Sequence, residues 1–152
     1  MNNQVKPVWD VLISKSDVSL RQVQSKLEDV LARKKKAEVR QHKLDDLLLE
    51  YGERLNKIFA RVHSPEEAAH YRQFISQLQS LKKRAIEEYK RIDQEFRTTQ
   101  KEVIAADQER AKLVKLGDRA KQKIYNQNLA FETKKSEVQS MIQFNLNSRS
   151  KN

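Results

Sequence analysis

The sequence predicts an all-α fold, an elongated hairpin of two helices paired as an antiparallel coiled coil. Three observations support this prediction: few turn-forming residues, a seven-residue apolar repeat, and one strong helix-start signal near the middle of the chain. The 152 residues include two Gly and two Pro, whereas a chain of this length carries about 18 of them on average. Because sandwiches, barrels and doubly wound sheets need frequent turns, the composition excludes those fold classes.

Apolar residues recur every seven positions, and two positions per repeat form the predicted seam between the helices. In the first half, these positions hold Trp9, Ile13, Ser16, Leu20, Val23, Leu27, Val30, Lys34, Ala37, Gln41, Leu44, Leu48, Tyr51, Leu55, Ile58 and Val62. In the second half, they begin at Ala68 and Tyr71 and continue to Val138 and Met141. In the expected register large residues face small ones, so that Trp9 meets Gly117 and Ala37 meets Tyr89.

The division between the two helices is predicted at residues 63–64. Ser64, Pro65 and Glu67 form a capping box with Pro at the first helical position, which indicates a helix start. We therefore expect a single coiled-coil hairpin over residues 1–152: helix one over about 8–62, helix two over about 65–143, and a disordered tail over about 145–152. A break at Ser16, which would act as a new helix cap, is left open as an alternative.

The composition also bears on the cellular compartment. The chain has no Cys, and its first residues lack the apolar stretch of a secretory signal. No run of apolar residues approaches the length of about 20 that a membrane-spanning helix needs. These observations predict a soluble, cytoplasmic protein.

Motifs for catalysis or cofactor binding are not found in the sequence. A phosphate-binding loop needs several Gly residues, and the two present, Gly52 and Gly117, lie within helical patterns. His42, His63 and His70 lack the spacing of a helical zinc pair. A two-helix pair also offers no enclosed pocket that would shift the pKa of a carboxyl group. We therefore expect no catalytic residue, no metal site, no cofactor and no enzymatic activity.

The net charge of +10 is concentrated in local clusters. One of them lies in helix two and comprises Arg110, Lys112, Lys115, Arg119, Lys121 and Lys123. It is interpreted either as the solvated face of a coiled coil or as a surface that docks into an acidic partner. Helix two also outruns helix one, which leaves Ile124, Phe131, Val138 and Met141 without a partner inside the chain. We expect this stripe to contact another protein.

A family resemblance starts from residues 70–78, which read HYRQFISQL, and from residues 47–51, which read LLLEY. With the plan of about 150 residues in one antiparallel pair, they make the sequence similar to the FliJ family of flagellar type III export proteins. The resemblance covers nearly the whole chain, but most of it is coiled-coil pattern. The segment Tyr-x-x-Phe-Ile-x-x-Leu is its most specific part.

The resemblance implies a non-enzymatic stalk that binds two partners at the cytoplasmic face of the flagellar basal body and inner membrane. Its paired ends would enter the hexameric export ATPase FliI, through the basic cluster and Ile124, Phe131 and Val138. The cytoplasmic domain of the export gate FlhA would contact Phe74 and Leu78, with Leu81 and Ala85 continuing that edge. Export chaperones are further expected partners. Nucleic acid is not expected, and membrane association is expected to be peripheral at most.

Three alternatives remain from the sequence. The nearest is the equivalent stalk of a virulence injectisome, which shares the same plan. A basic coiled coil that binds nucleic acid would show binding that falls steeply with salt. A dimerisation scaffold would associate with itself through the stripe from Ile124 to Met141.

Overall fold

The chain forms two long helices. In a computed structural model, which describes residues 5–150 and their side chains from Val8 onward, α1 spans Val5–Phe59 and α2 spans Pro65–Ser150. The two helices pack against each other, and the described residues contain no strand. The predicted all-α helical hairpin is therefore confirmed.

The link between the helices contains the predicted capping motif. The backbone N–H of Glu67 donates to Ser64 Oγ over 3.2 Å, so the N-cap forms as expected. The Glu67 carboxylate accepts from Arg61 Nη2 at 2.6 Å. It is thus engaged with the end of the preceding segment rather than with the Ser64 amide. The start of α2 at Pro65 agrees with the prediction.

The end of α1 differs from the prediction by three residues. The helix stops at Phe59, where Ala60 and Arg61 donate backbone hydrogen bonds to Asn56 and Ile58 and close the last turn. Val62, expected as a seam residue, is fully exposed in the link. Pro65 keeps the residue before it out of the helical conformation, so the chain needs several residues between the helices. At its other end α1 begins at Val5 rather than near residue 8.

The C-terminal residues expected to be disordered are helical. α2 continues to Ser150, whose hydroxyl donates to the Asn147 carbonyl at 2.9 Å. After Gly117 the sequence contains no further Gly or Pro that would stop a helix. Residues 151–152 of the expected tail lie outside the described part of the chain. The possible break at Ser16 is also absent: the Ser16 hydroxyl donates to the Ile13 carbonyl at 2.7 Å within a continuous helix.

The chain divides into two compact units, one of Arg21–Ala105 and one of Met1–Leu20 with Ala106–Asn152. In the first unit, Val30, Ala37 and Ile92 form a buried cluster, against which Tyr89 and Phe96 pack. In the second unit, Gly117 lies against Trp9 and Ile13. The predicted facing pairs, Ala37 with Tyr89 and Trp9 with Gly117, are therefore found, each inside its own unit.

Four polar residues of the seam, Lys34, Gln41, Lys82 and Arg110, each find a partner on the other helix. Lys34 Nζ lies 3.1 Å from Asp93 Oδ1 and 4.7 Å from the centre of the Phe96 ring. Gln41 Nε2 donates to the Ala85 carbonyl at 3.5 Å. The remaining two form ion pairs, Lys82 with Asp45 at 2.5 Å and Arg110 with Asp17. Because a shift of register would separate these pairs, they favour one alignment of the helices.

Further ion pairs join the helices along the edges of the seam in the unit of Arg21–Ala105. Lys26 pairs with Glu102, Arg33 with Glu95 and Arg40 with Glu88, at N–O distances of 3.3, 2.7 and 2.6 Å. The hydrogen bond from Arg33 holds the pKa of Glu95 below its ordinary value, and the same bond raises the pKa of Arg33. The hydrogen bond to Asp93 likewise raises the pKa of Lys34.

Candidate functional site

An exposed apolar edge lies on α2 near its start. Phe74 and Leu81 occupy the same heptad position and remain 38% and 48% exposed. The Tyr51 ring of α1 backs Phe74, with ring centroids 4.5 Å apart, and Tyr71 lies 6.1 Å from Tyr51. We call Phe74, with Tyr51 behind it, and Leu81 the Phe74 edge. Because Tyr51 holds Phe74 in place, the edge presents a fixed apolar surface to a partner.

Two residues expected to belong to this docking surface are buried instead. Leu78 and Ala85 are 4% and 5% exposed. Both occupy seam positions, so their side chains point between the helices rather than toward solvent. Of the four residues expected to contact the gate, only Phe74 and Leu81 are exposed on α2, and gate binding itself stays a prediction.

A second aromatic group next to the link was not identified from the sequence. The Phe59 ring lies 5.6 Å from the His63 ring in an edge-on arrangement, and the Arg72 guanidinium lies 5.0 Å from the Phe59 ring centre. Phe59 is not a seam residue, so the heptad pattern gave no reason to select it. The one local signal in the sequence is that Phe59 lies just ahead of the capping box, three residues before Val62.

The basic cluster of α2 separates into paired and unpaired members. Arg110 is paired with Asp17, and Lys121 Nζ approaches Asp10 at 3.9 Å. The other members are exposed and form no ion pair with any described residue. They are Lys112, Lys115, Arg119 and Lys123. At three- and four-residue spacing these four lie along one face of α2, which we call the basic stripe. The stripe is an exposed cationic surface whose members form no ion pair among the described residues.

The end of α2 is exposed to solvent. Ile124 is half-buried, and every residue from 125 to 150 is exposed. Phe131 and Val138 were predicted to lack a partner, and both are more than half exposed. The segment of residues 125–150, which we call the C-terminal segment, thus adds an apolar surface to the cationic one that precedes it.

Within residues 5–150 no group of three or more His, Asp or Glu side chains is placed to bind a metal ion. The surface furrows nearest the basic stripe are lined by residues of α2, among them Arg119, Gln122 and Lys123. No helix in the described part of the chain is long and apolar enough to cross a membrane.

Comparisons with known proteins give no relative to set beside this geometry. No family model, no curated protein and no solved structure matches the chain.

Proposed function

We propose that the chain is a non-enzymatic coupling protein of the flagellar type III export apparatus, related to the FliJ family. In this proposal the unit of Met1–Leu20 with Ala106–Asn152 binds the hexameric export ATPase FliI, and the unit of Arg21–Ala105 binds the export gate FlhA. Export chaperones are further partners. The chain makes and breaks no chemical bond itself; it acts through the proteins that it contacts, at the cytoplasmic face of the inner membrane.

The observation that carries the proposal is where charged and apolar side chains remain exposed on a helical hairpin whose seam is packed. In one unit, the basic stripe forms no ion pair among the described residues, and the C-terminal segment is exposed. In the other unit, the Phe74 edge remains exposed beside a buried seam. Cationic residues around apolar anchors favour a partner with acidic surroundings. The resemblance at residues 70–78 supports the choice of the export apparatus.

The ATPase arm is tested by adding the full chain to its cognate export ATPase and following hydrolysis and ring assembly. The unmodified chain is expected to stimulate both. Lys112→Gln, Lys115→Gln and Arg119→Gln together should weaken the complex, since three steering charges are removed. The matched control removes three exposed charges from α1, through Lys35→Gln, Lys36→Gln and Lys43→Gln. If the unmodified chain gives neither stimulation nor a complex, the coupling role is wrong.

The gate arm is tested with the purified cytoplasmic domain of the cognate gate protein. Phe74→Ser or Leu81→Ser should each lower affinity about tenfold, the loss typical of an apolar anchor at an interface. Ile104→Ser is the control, because Ile104 is an exposed apolar residue of the same helix and the same unit. Equal losses from the edge variants and the control would contradict a specific role for the Phe74 edge.

The same surfaces suit the stalk of a virulence injectisome, so the choice of partner ATPase is itself informative. Binding to an injectisome ATPase, with no binding to the flagellar enzyme, would move the chain to that system. A nucleic-acid-binding coiled coil would instead bind oligonucleotides with an affinity that falls steeply with salt. A dimerisation scaffold would self-associate and ignore both ATPases.

A further inference from the structure

The C-terminal segment exposes more bulky apolar residues than a helix in water normally does. Among the exposed residues are Tyr125, Leu129, Phe131, Val138, Met141, Ile142, Phe144 and Leu146. Single exposed apolar residues are ordinary on protein surfaces, but a continuous stripe marks a contact surface. We therefore consider where these residues lie around the helix axis.

Three of these residues form one stripe along the helix. At about 100° per residue, Phe131, Val138 and Ile142 lie within about 40° of one another around the axis. We call these three the Phe131 stripe. Phe144 lies about 140° away from Phe131 by the same geometry. It is as exposed as Phe131, at 71% against 69%, so the two phenylalanines differ mainly in the face they occupy.

The charges of the segment are arranged around this stripe. Its basic residues are Lys134, Lys135 and Arg149, and its acidic residues are Glu132 and Glu137. The three basic residues lie within about 60° of Phe131, whereas both acidic residues lie about 100° or more away. Lys134 and Lys135 thus flank the apolar stripe on its two sides, and Arg149 lies in line with it beyond its C-terminal end. The complement of this face is an apolar surface that carries negative charge.

A second copy of the chain does not fit that description. Lys134 occupies a seam position of the heptad frame, and Lys135 lies about 40° from Phe131. Pairing two such stripes would place lysines from both chains at the edge of one apolar seam, with the acidic residues turned away. Ammonium groups in such a seam need paired carboxylates, which a second copy does not bring to this face.

An anionic membrane surface accommodates the same arrangement. Apolar side chains enter the boundary between headgroups and acyl chains, while lysine stems extend along them and place their ammonium groups among the lipid phosphates. Each Lys or Arg near an anionic surface adds to the attraction. A protein groove would have to supply a buried acidic partner for Lys135 within its apolar floor, whereas a lipid surface needs no such partner.

We propose that the C-terminal segment binds the surface of an anionic lipid membrane, with the Phe131 stripe inserted and Lys134, Lys135 and Arg149 on the headgroup phosphates. This activity goes beyond the proposed coupling function. Because the proposed ATPase contact includes Phe131 and Val138, the two uses of the segment exclude each other. A chain held on the membrane would then leave it on docking to the ATPase.

Vesicle binding tests the proposal without any partner protein. The full chain is sedimented with vesicles of phosphatidylcholine alone or of phosphatidylcholine mixed with phosphatidylglycerol. Binding is expected to the mixed vesicles and to weaken as salt is raised. Phe131→Ser should lower the affinity about tenfold, as expected for losing one inserted aromatic side chain, and Lys134→Gln with Lys135→Gln should lower it by a similar factor. Phe144→Ser, the matched control, should change it less than about twofold.

Fluorescence tests which face is inserted. Trp9 is the only tryptophan, so a Trp9→Phe background leaves one reporter when Phe131→Trp or Phe144→Trp is added. A blue shift on adding anionic vesicles is expected for the reporter at 131 and not for the reporter at 144. Circular dichroism of each variant without vesicles establishes first that the helices are retained.

Three results would overturn the proposal. The first is no binding to the mixed vesicles, and the second is an equal spectral shift from both reporters. In the third, Phe131→Ser weakens the complex with the export ATPase, while neither the unmodified chain nor any variant binds vesicles. That result would assign the segment to a protein groove. Failure of the ATPase assay alone leaves the vesicle result intact, so the two proposals are tested separately.

Discussion

The seam is closely packed beside Gly117, which lies inside a long helix. A Cβ atom on Gly117 would lie 3.5 Å from Trp9 Cβ and 3.6 Å from Ile13 Cδ1, which is ordinary van der Waals contact. The seam at this point therefore has room for a methyl group and for little more. Gly52, by contrast, has no atom within 4 Å of such a Cβ.

Gly117→Ala is expected to stabilise the fold by about 0.5–1 kcal/mol, because alanine has the higher helix propensity and its methyl group fits. Gly52→Ala should give a similar gain and serves as the control for propensity alone. Gly117→Leu should destabilise, since atoms beyond Cβ would run into Trp9. Urea unfolding followed by circular dichroism measures all three. A gain from Gly117→Leu would show that the seam is looser there than the structure indicates.

The sequence identified which residues form the seam but only part of how the charges pair. The heptad frame selected Val30, Ala37 and Ile92, and these are buried, because apolar burial depends only on the face of the helix. Opposite charges four residues apart on a helix favour pairing, and two such pairs, Glu50–Arg54 and Asp93–Arg97, are present. Arg33 pairs instead with Glu95 and Asp17 with Arg110. Long side chains have several partners in reach, and the cross-helix ones could be identified only once the register was considered.

Helix pairing depends on a small number of buried side chains. Val30 is fully buried in the cluster with Ala37 and Ile92. Its neighbours come from both helices, so a cavity at this point would be bounded by α1 and α2 alike. Val39, also on α1, is exposed.

Val30→Ala should therefore lower the free energy of unfolding by roughly 2 kcal/mol, from lost burial and the cavity left behind. Val39→Ala should change it by less than about 0.5 kcal/mol, as expected for a surface position. Denaturant titration of the two variants side by side gives the comparison. Equal effects would mean that the cluster around Val30 does not hold the helices together.

The Arg33–Glu95 pair should make helix pairing sensitive to acid. Its hydrogen bond holds the pKa of Glu95 below the ordinary value of 4.5, so the folded state is favoured above that pH. The contribution is lost as the pH falls through the folded-state pKa and Glu95 becomes protonated. Glu95→Gln should therefore reduce stability at neutral pH and flatten the decline below pH 4.5.

Thermal unfolding across this pH range measures the effect. Glu28→Gln is the control, because Glu28 is exposed and forms no ion pair within residues 5–150. The same acid dependence in Glu95→Gln and in the unmodified chain would exclude the pair as its source. Since both members lie at the surface, the difference is expected to be small.

Helix ends were harder to predict than helix faces. The capping box located the start of α2 because Ser64 and Pro65 act through their own backbone neighbours. No comparable signal follows Phe59 or Gln143. The end of helix one at residue 62 was inferred from the capping box that follows it, and the end of helix two at residue 143 from the heptad pattern. Without a stop signal, α2 continues to Ser150.

The two-helix fold should remain stable when the C-terminal segment is removed. Residues 125–150 are all exposed, so none of them contributes a buried side chain to either unit. A chain ending at Ile124 is expected to keep its free energy of unfolding within about 0.5 kcal/mol. Urea titration and loss of vesicle binding are measured on the same truncated protein. A large loss of stability would show that the segment is part of the folded core.

The position of the link near the middle of the chain also affects the order of events during synthesis. Ribosomes release the N-terminal residues first, so all of α1 emerges before the residues of α2 that cover its seam. Val30 therefore stays uncovered until Ile92 has been synthesised, and Trp9 stays uncovered until Gly117 has been synthesised. We expect nascent chains to expose an uncovered stripe of apolar side chains throughout this interval. We also expect this form of the protein to be the one that general molecular chaperones recognise.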